Sequence, residues 1–194
     1  DTDGSHLGVY RVDGAPSWDW EDMAYGEDPA TGDGVLYVGD IGDNAEIRPT
    51  VSVIRVVEPA VTPGQAPVEQ EIDGAVMTLT YPDGPHNAET LLCDPRTDDV
   101  YIVTKDHGGA TGVYRKAAPH TDGEEVELEW ITELDFWDEP LSGGATTGGD
   151  ISPLGRWVLI RTYETTAYLW LWDRSTSLAE ALAADPCTLE VPWE

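Results

Sequence analysis

The sequence predicts an all-β fold, and three observations support this prediction. Short runs rich in β-branched residues, such as Val51–Val57, are separated by turns that contain Gly, Pro and Asp. Similar segments that open on an acidic residue begin at Glu21, Glu89 and Asp150, at intervals of roughly 65 residues. Each segment is followed by a turn and by a second, more hydrophobic run. A repeat of this length suits one four-stranded sheet per unit, so we expect three four-stranded antiparallel blades of a β-propeller.

The repeat divides the chain into one partial blade and three whole ones. Residues 1–20 would end a preceding blade, and residues 21–84, 85–137 and 138–194 would each form one blade. Propellers typically close with four to eight blades, so three blades correspond to about half of a six-bladed ring. We expect the chain to be a portion of a longer protein. The alternative is that another copy supplies the missing blades.

The strands are predicted from hydrophobic alternation bounded by turn residues. In the first blade they lie near residues 21–26, 35–40, 51–57 and 75–81, and the Pro- and Gly-bearing segment 60–70 is predicted to be a loop. In the second and third blades they lie near residues 88–93, 100–105, 112–117, 125–134, 149–152, 157–163, 167–172 and 188–192. A capping-box pattern at Ser177–Glu180 predicts one short helix before the last strand.

Composition restricts the classes of partner. The 194 residues include 38 Asp and Glu against 10 Lys and Arg, which gives a net charge of −28. Such a surface repels nucleic acid and anionic membranes, and it attracts divalent cations and cationic proteins. The same acidity is also typical of adaptation to high salt, so composition leaves both interpretations open. No apolar run approaches the roughly 18 residues that a membrane span requires.

Charged residues are predicted to line the channel of the propeller. The first strand of each blade faces that channel, so Glu21, Glu89 and Asp150 should converge there. Antiparallel pairing with the second strands should set Glu89 near Lys105 and Asp150 near Arg161. These contacts would form two ion pairs, one in the second blade and one in the third.

The first blade lacks a basic residue at the matching position. Its acidic and amide residues are Glu21, Asp22, Asp40, Asp43 and Asn44. Carboxylates held together repel one another, and a bound Ca²⁺ with six to eight oxygen ligands would relieve the repulsion. The alternative is that Arg48 folds back to pair with Asp40 or Asp43, while Asp43 and Asn44 hydrogen-bond their own loop.

The serine, histidine and cysteine residues give weaker indications of function. No Gly-x-Ser-x-Gly elbow marks a nucleophilic serine. His86 and His107 flank the Glu89–Lys105 region and could form an acid–base pair, although surface histidines in turns are more common. Cys93 is predicted to be a small buried hydrophobe, and no disulfide with Cys187 is expected.

Six of the tryptophans are closely spaced, at Trp18 and Trp20, Trp130 and Trp137, and Trp170 and Trp172. Such spacing could display aromatic faces to a carbohydrate. Packing between blades is the larger need for aromatic side chains, and we expect these tryptophans to serve it.

Several motifs resemble those of a family of uncharacterised secreted bacterial β-propeller proteins. They are Asp19–Ala24, Leu36–Asn44 with Arg48, Tyr81–Gly84, Ala88–Glu89, Asp94–Pro95, Thr104–Lys105 and Arg161–Tyr163. That family is similar, at the level of the fold, to six-bladed calcium-dependent propellers of the gluconolactonase, paraoxonase and esterase-like phytase types. The resemblance implies a secreted propeller.

Two functions follow as hypotheses. The first is a secreted, calcium-binding propeller that acts as a recognition or scaffold module, with a protein partner or further blades at its open edges. The second is a metal-dependent hydrolase of the lactonase or phosphoesterase type, with its metal at the channel on Glu21, Asp40 and Glu89. A catalytic metal needs an open coordination position, whereas a structural ion is enclosed by protein oxygens.

Overall fold

Fifteen β-strands and one short helix form the part of the chain that the computed structural model describes, residues 3–105, 110–136, 144–163 and 165–192. The strands are β1 Gly8–Val12, β2 Trp20–Glu27, β3 Gly34–Asp40, β4 Val51–Val57, β5 Val68–Ile72, β6 Gly74–Thr80, β7 Ala88–Cys93, β8 Val100–Thr104, β9 Ala110–Lys116, β10 Glu125–Glu127, β11 Glu129–Asp135, β12 Thr146–Ile151, β13 Trp157–Thr162, β14 Thr166–Leu171 and β15 Cys187–Glu190. The helix α1 is Leu178–Leu182. The all-β prediction is confirmed.

The strands form three larger sheets and one small one. The first sheet has the order β10-β6-β4-β3-β2, the second β11-β9-β8-β7 and the third β12-β13-β14-β15. Within each larger sheet neighbouring strands are antiparallel, except that β10 runs parallel to β6. The small sheet pairs β1 with β5 in parallel.

The three larger sheets contact one another through one edge strand of each, the inner strands β2, β7 and β12. β7 lies between β2 and β12 and contacts both of them. Successive residues of a strand point to opposite faces, so β7 contributes to two cores. Leu91 belongs to the core between the first and second sheets, and Leu92 belongs to the core between the second and third sheets. The three larger sheets therefore contact one another through β2, β7 and β12.

The segment after β9 differs from its prediction as one strand over residues 125–134. Glu125–Glu127 pairs with β6 of the first sheet, and only Glu129–Asp135 pairs with β9 of the second. Leu128 lies between the two strands, is buried in the first core and donates its backbone N–H to Thr80 O at 2.8 Å. Burial of this leucine explains why the segment first crosses to the neighbouring sheet.

The end of the predicted loop 60–70 is also a strand. Val68–Ile72 pairs in register with Gly8–Val12. Its residues are largely exposed and three of the five are Glu or Gln, so it carries no hydrophobic alternation. Its hydrogen bonds to β1 stabilise the strand in place of side-chain burial.

Two smaller predictions are confirmed. Ser177 Oγ accepts a hydrogen bond from Glu180 N at 3.2 Å, and the Glu180 carboxylate accepts one from Ser177 N at 2.8 Å, so the capping box forms. Cys93 is buried and Cys187 is exposed, and neither forms a disulfide. In the described ranges, no helix has the length and apolar character that crossing a membrane requires.

Candidate functional site

Each inner strand carries a break in register near its first residue. In β2 the break leaves Glu21 as the extra residue, in β7 it leaves Glu89, and in β12 it leaves Thr147. A bulge bends the strand and redirects the extra side chain. These three residues therefore occupy equivalent positions in the three sheets. The counterpart of Glu21 in the third sheet is Thr147, whereas the sequence repeat indicates Asp150.

The ion pair predicted in the second sheet is present. Lys105 Nζ lies 2.6 Å from Glu89 Oε1, and both side chains are at least four-fifths buried. The same Nζ lies 5.1 Å from the ring centroid of Tyr163, which belongs to the third sheet's side of the site. The backbone N–H of Lys105 donates to Asn87 O at 2.8 Å. Lys105 is thus held from the backbone and from its charged end.

The ion pair predicted in the third sheet is absent. Asp150 lies opposite Leu159 in the register, and Arg161 lies opposite Gly148. Asp150 Oδ1 accepts from the next backbone N–H, while Arg161 Nη2 donates to Pro192 O at 2.7 Å. Asp150 lies two residues beyond Gly148, the residue opposite Arg161, so the two charges are not placed opposite each other.

The first sheet has no counterpart of Lys105. Lys105 directly follows β8, and the residues that directly follow β3 and β13 are Ile41 and Tyr163. Ile41 is fully buried in the first core. Glu21 therefore has a hydrophobic residue at the position from which Lys105 reaches Glu89.

Glu21 lies against a second carboxylate, that of Asp19. Partial burial, the charges of Glu89 and Asp19, and a hydrogen bond with Asp19 raise the pKa of Glu21 to about 7, and Lys105 opposes the increase. A side-chain carbon at Gly42 would collide with the carboxylates of both Asp19 and Glu21. Only glycine lets the loop after β3 approach these acids, and Gly42 N donates to Asp19 O at 3.2 Å.

Asp40 forms the contact that the sequence offers as the alternative to a metal. Its Oδ2 accepts a hydrogen bond from Arg48 Nη2 at 3.0 Å, and its side chain is fully buried. Its Oδ1 accepts from the backbone N–H groups of Trp18 and Asp19 at 3.0 and 2.7 Å. Arg48 Nη1 also donates to Gly42 O at 2.6 Å. Both oxygens of Asp40 therefore have protein donors.

Asp43 and Asn44 tie the loop after β3 to the second sheet. Asp43 Oδ2 accepts from Arg48 N at 2.6 Å, and Asp43 N donates to Asn87 Oδ1 at 2.7 Å. Asn87 Nδ2 in turn lies 3.4 Å from Asn44 Oδ1. These contacts hold the loop in place beside the Glu21–Glu89 region.

Asp22 joins the three inner strands. Its Oδ2 accepts hydrogen bonds from Leu91 N in β7 at 2.8 Å and from Gly149 N in β12 at 3.4 Å. Its Oδ1 accepts from Met23 N at 2.8 Å. Burial raises the pKa of Asp22, although these donors oppose the increase. Its carboxylate therefore links the three larger sheets through hydrogen bonds.

The five predicted metal ligands do not act as one group. Glu21 contacts Asp19, Asp22 joins the inner strands, Asp40 and Asp43 bind Arg48, and Asn44 contacts Asn87. Within the described ranges, no set of three or more His, Cys, Asp or Glu side chains has an arrangement that could hold a metal ion. Glu21 and Asp19 form no ion pair among the described residues, whereas Asp40 and Glu89 each do.

His86 belongs to a different cluster. Its Nε2 lies 3.0 Å from Asp83 Oδ1 and 3.1 Å from Tyr114 Oη, and its ring packs edge-on against Tyr81. His107, its predicted acid–base partner, lies outside the described residues. The predicted pair therefore stays a prediction.

Sequence reasoning missed Asp19 as the neighbour of Glu21. Asp19 precedes β2 and Glu21 is the bulged residue of that strand, so strand alternation alone does not predict that the two side chains meet. The available signal was the glycine directly after Ile41, because a glycine next to a strand end often marks a close approach.

No family model matches the sequence, and no curated protein matches it. Among solved structures, a complex of KlAtg21 with the coiled coil of AgAtg16 is similar at 10% sequence identity with a TM-score of 0.44. The alignment covers 89% of this chain and 43% of that chain, so this chain spans less than half of the other's length. A likeness at this level carries no argument about fold or function.

Proposed function

We propose that the three larger sheets are consecutive blades of a β-propeller and that the inner strands β2, β7 and β12 face its channel. The face-to-face stacking of the sheets around these strands supports this arrangement. The exposed apolar side chains on the outer faces of the first and third sheets also support it. Trp20 and Met23 are 46% and 56% exposed on the first sheet, and Trp157 and Leu171 are 44% and 67% exposed on the third. Further blades, from the same or another chain, would cover these residues.

Within this arrangement the protein acts as a recognition module that binds a cation at Glu21 and Asp19. The contrast between two equivalent positions carries the proposal. Glu89 has Lys105 at 2.6 Å, whereas Glu21 has the buried Ile41 at the corresponding place and a second carboxylate beside it. A bound cation would balance Glu21 as Lys105 balances Glu89.

Ca²⁺ is the cation that suits this chemistry. Calcium prefers carboxylate and carbonyl oxygens and tolerates irregular geometry, and the loop after β3 brings backbone close to both acids. A net charge of −28 concentrates cations around the whole surface. The resemblance to secreted propellers makes secretion part of the same proposal.

Calcium titration of the full chain tests the proposal. We expect Ca²⁺ to raise the midpoint of thermal unfolding and EDTA to reverse the rise, because a ligand that binds only the folded state stabilises it. Glu21→Gln should abolish the shift. Glu133→Gln removes an equally charged but exposed side chain of β11 and should leave it intact.

Two results would contradict calcium binding at this place. One is an unfolding midpoint that Ca²⁺ and EDTA leave unchanged in the parent protein. The other is a calcium-induced shift of equal size in Glu21→Gln and Glu133→Gln, which would assign the effect to the general acidity of the surface.

A hydrolase in which Glu21 acts as a general acid or base, and not as a metal ligand, is the second candidate, and the raised pKa of Glu21 supports it. A carboxyl group with a pKa of about 7 is suited to act as a general acid or base near neutral pH. Asp40 is held by Arg48, so Glu21 rather than Asp40 would be the reactive carboxylate. Hydrolysis of an aryl phosphate or a lactone should then follow an ionisation near pH 7 and disappear in Glu21→Gln. Absence of turnover with both substrate classes would reject it.

A further inference from the structure

A pocket of about 420 Å³ opens beside Trp18, next to the Asp40–Arg48 ion pair. Its apolar lining consists of Pro16, Trp18, Ile47 and Pro49, and its polar lining consists of Asp40, Arg48, Thr50 and Ser52. The volume lies within the range of roughly 300–1,000 Å³ that is usual for small-ligand sites. The pocket uses other side chains than Glu21 and Asp19, so it does not depend on the cation proposed above.

Trp18 is exposed and yet firmly placed. Its side chain is 82% exposed, whereas Trp170 and Trp172 are 3% and 2% exposed and pack in the second core as the sequence predicts. The backbone N–H of Trp18 donates to the buried Asp40, and the Arg48 guanidinium lies 5.8 Å from the Trp18 ring centroid. The packing prediction therefore fails for Trp18, which presents a flat aromatic surface to solvent.

The remaining pocket groups suit a ligand with hydroxyl groups. In the described part of the chain, the hydroxyls of Thr50 and Ser52 have no hydrogen-bond partner. Arg48 makes hydrogen bonds to Asp40 and Gly42 with two of its five N–H groups. The guanidinium can donate hydrogen bonds to the hydroxyls of a ligand. The Thr and Ser hydroxyls can both donate to those hydroxyls and accept from them.

The charge of the pocket disfavours an ionic ligand. Among the described residues that line it, the one cation, Arg48, and the one anion, Asp40, form an ion pair with each other. The net charge of −28 repels an anionic ligand. A cationic ligand would meet the Arg48 guanidinium at the base of Trp18.

We propose that this pocket binds a neutral saccharide, with one face of a sugar ring stacked on Trp18 and its hydroxyls bound by Thr50, Ser52 and Arg48. The C–H groups on one face of a pyranose make an apolar surface that fits an aromatic ring, while its hydroxyls need donors and acceptors at the edge. A proline-rich peptide is the main competing occupant. Its sites are grooves lined by several aromatic residues, and Trp18 is the one aromatic residue among the described residues that line this pocket.

Isothermal titration of the full chain with neutral hexasaccharides tests the proposal. The panel contains cello-, xylo-, manno- and chito-oligosaccharides, with a galacturonate oligomer as the anionic comparison and a proline decamer as the peptide comparison. We expect at least one neutral saccharide to bind, and Trp18→Ala to weaken its affinity about tenfold or more. The matched control is Trp130→Ala, which removes a half-exposed tryptophan of β11, outside the pocket lining, and should leave the affinity unchanged.

Thr50→Ala keeps the test decisive if Trp18→Ala unfolds, because Thr50 is exposed and its loss should weaken saccharide binding about threefold or more. Four outcomes would overturn the proposal: no neutral saccharide binds, Trp18→Ala and Thr50→Ala both bind as the parent does, Trp130→Ala weakens binding equally, or the galacturonate oligomer or proline decamer binds at Trp18 more tightly than every neutral saccharide.

Discussion

Glu21 and Glu89 are the same residue type at the same bulge of two neighbouring sheets, yet their electrostatic surroundings differ. Glu89 is paired with Lys105, and Glu21 is in contact with Asp19. The difference comes from one position beyond the second strand of each sheet, which is lysine in one case and Ile41 in the other. The residue at this one position thus distinguishes a carboxylate that is neutralised within its own sheet from one that is not.

The third sheet extends the comparison, because its bulge carries Thr147 and therefore no charge. The residue at the Lys105 position is Tyr163, whose ring centroid lies 5.1 Å from Lys105 Nζ. The three bulges therefore hold a paired acid, an unpaired acid and a neutral hydroxyl. Substitutions that remove one of these groups, or its partner, should therefore affect stability to different extents.

The largest effect is expected at Asp22, which accepts hydrogen bonds from all three inner strands close to their bulges. Asp22→Ala removes the acceptor for Leu91 N and Gly149 N, and each unsatisfied N–H costs roughly 1–3 kcal/mol. We expect the free energy of unfolding in urea to fall by about 3 kcal/mol. Asp33→Ala, at an exposed turn position, is the control and should change it by less than about 0.5 kcal/mol. Equal losses in both variants would show that Asp22 does not join the strands.

Loss of Lys105 should make the second bulge resemble the first. Lys105→Met leaves Glu89 without its partner, and we expect a loss of about 2 kcal/mol in unfolding free energy. Because Lys105 lowers the pKa of Glu21, that pKa should also rise further in the variant. The double variant Lys105→Met/Glu89→Gln should recover part of the loss. Additive effects of the two single substitutions would contradict a direct interaction.

The state of Glu21 should appear in the pH dependence of stability. Its pKa is about 7 in the folded protein against an ordinary 4.5, so protonation favours folding. Its contribution is complete below about pH 4.5 and is lost as the pH rises through about 7. The difference in unfolding free energy between the parent and Glu21→Gln should therefore change between these two pH values. A difference that stays constant over this range, measured by urea unfolding, would show that Glu21 titrates normally.

The smallest effect is expected at the third bulge. Within the described residues, the buried Thr147 Oγ1 has no hydrogen-bond partner. Thr147→Val removes this hydroxyl at nearly constant volume, so we expect unfolding free energy to stay the same or to rise by up to about 1 kcal/mol. A loss of more than about 1 kcal/mol would mean that the hydroxyl is satisfied and that the third bulge, too, is held by a polar contact.

Most strands were predictable because their side chains alternate, and Trp157–Thr162 was predicted to within one residue. The bulges were not, because one extra residue changes register without changing the hydrophobic pattern. Residue type alone aligned Asp150 with Glu21, and only the pairing of β12 with β13 shows Thr147 as its counterpart. The sequence did offer Arg48 as a partner for Asp40, but the balance between that ion pair and a metal depends on distances in three dimensions.

β10 belongs to the first sheet but lies in the sequence between β9 and β11 of the second sheet, so the first sheet is complete only after that segment has been made. Its three residues are the outermost strand of the first sheet, yet they are made after β7, β8 and β9. During synthesis β6 therefore has an open edge until Glu125–Glu127 leaves the ribosome, and an open edge can pair with another chain. The edge of the first sheet is thus covered by a strand made after most of the second sheet. The order of synthesis therefore determines when that edge is protected from aggregation.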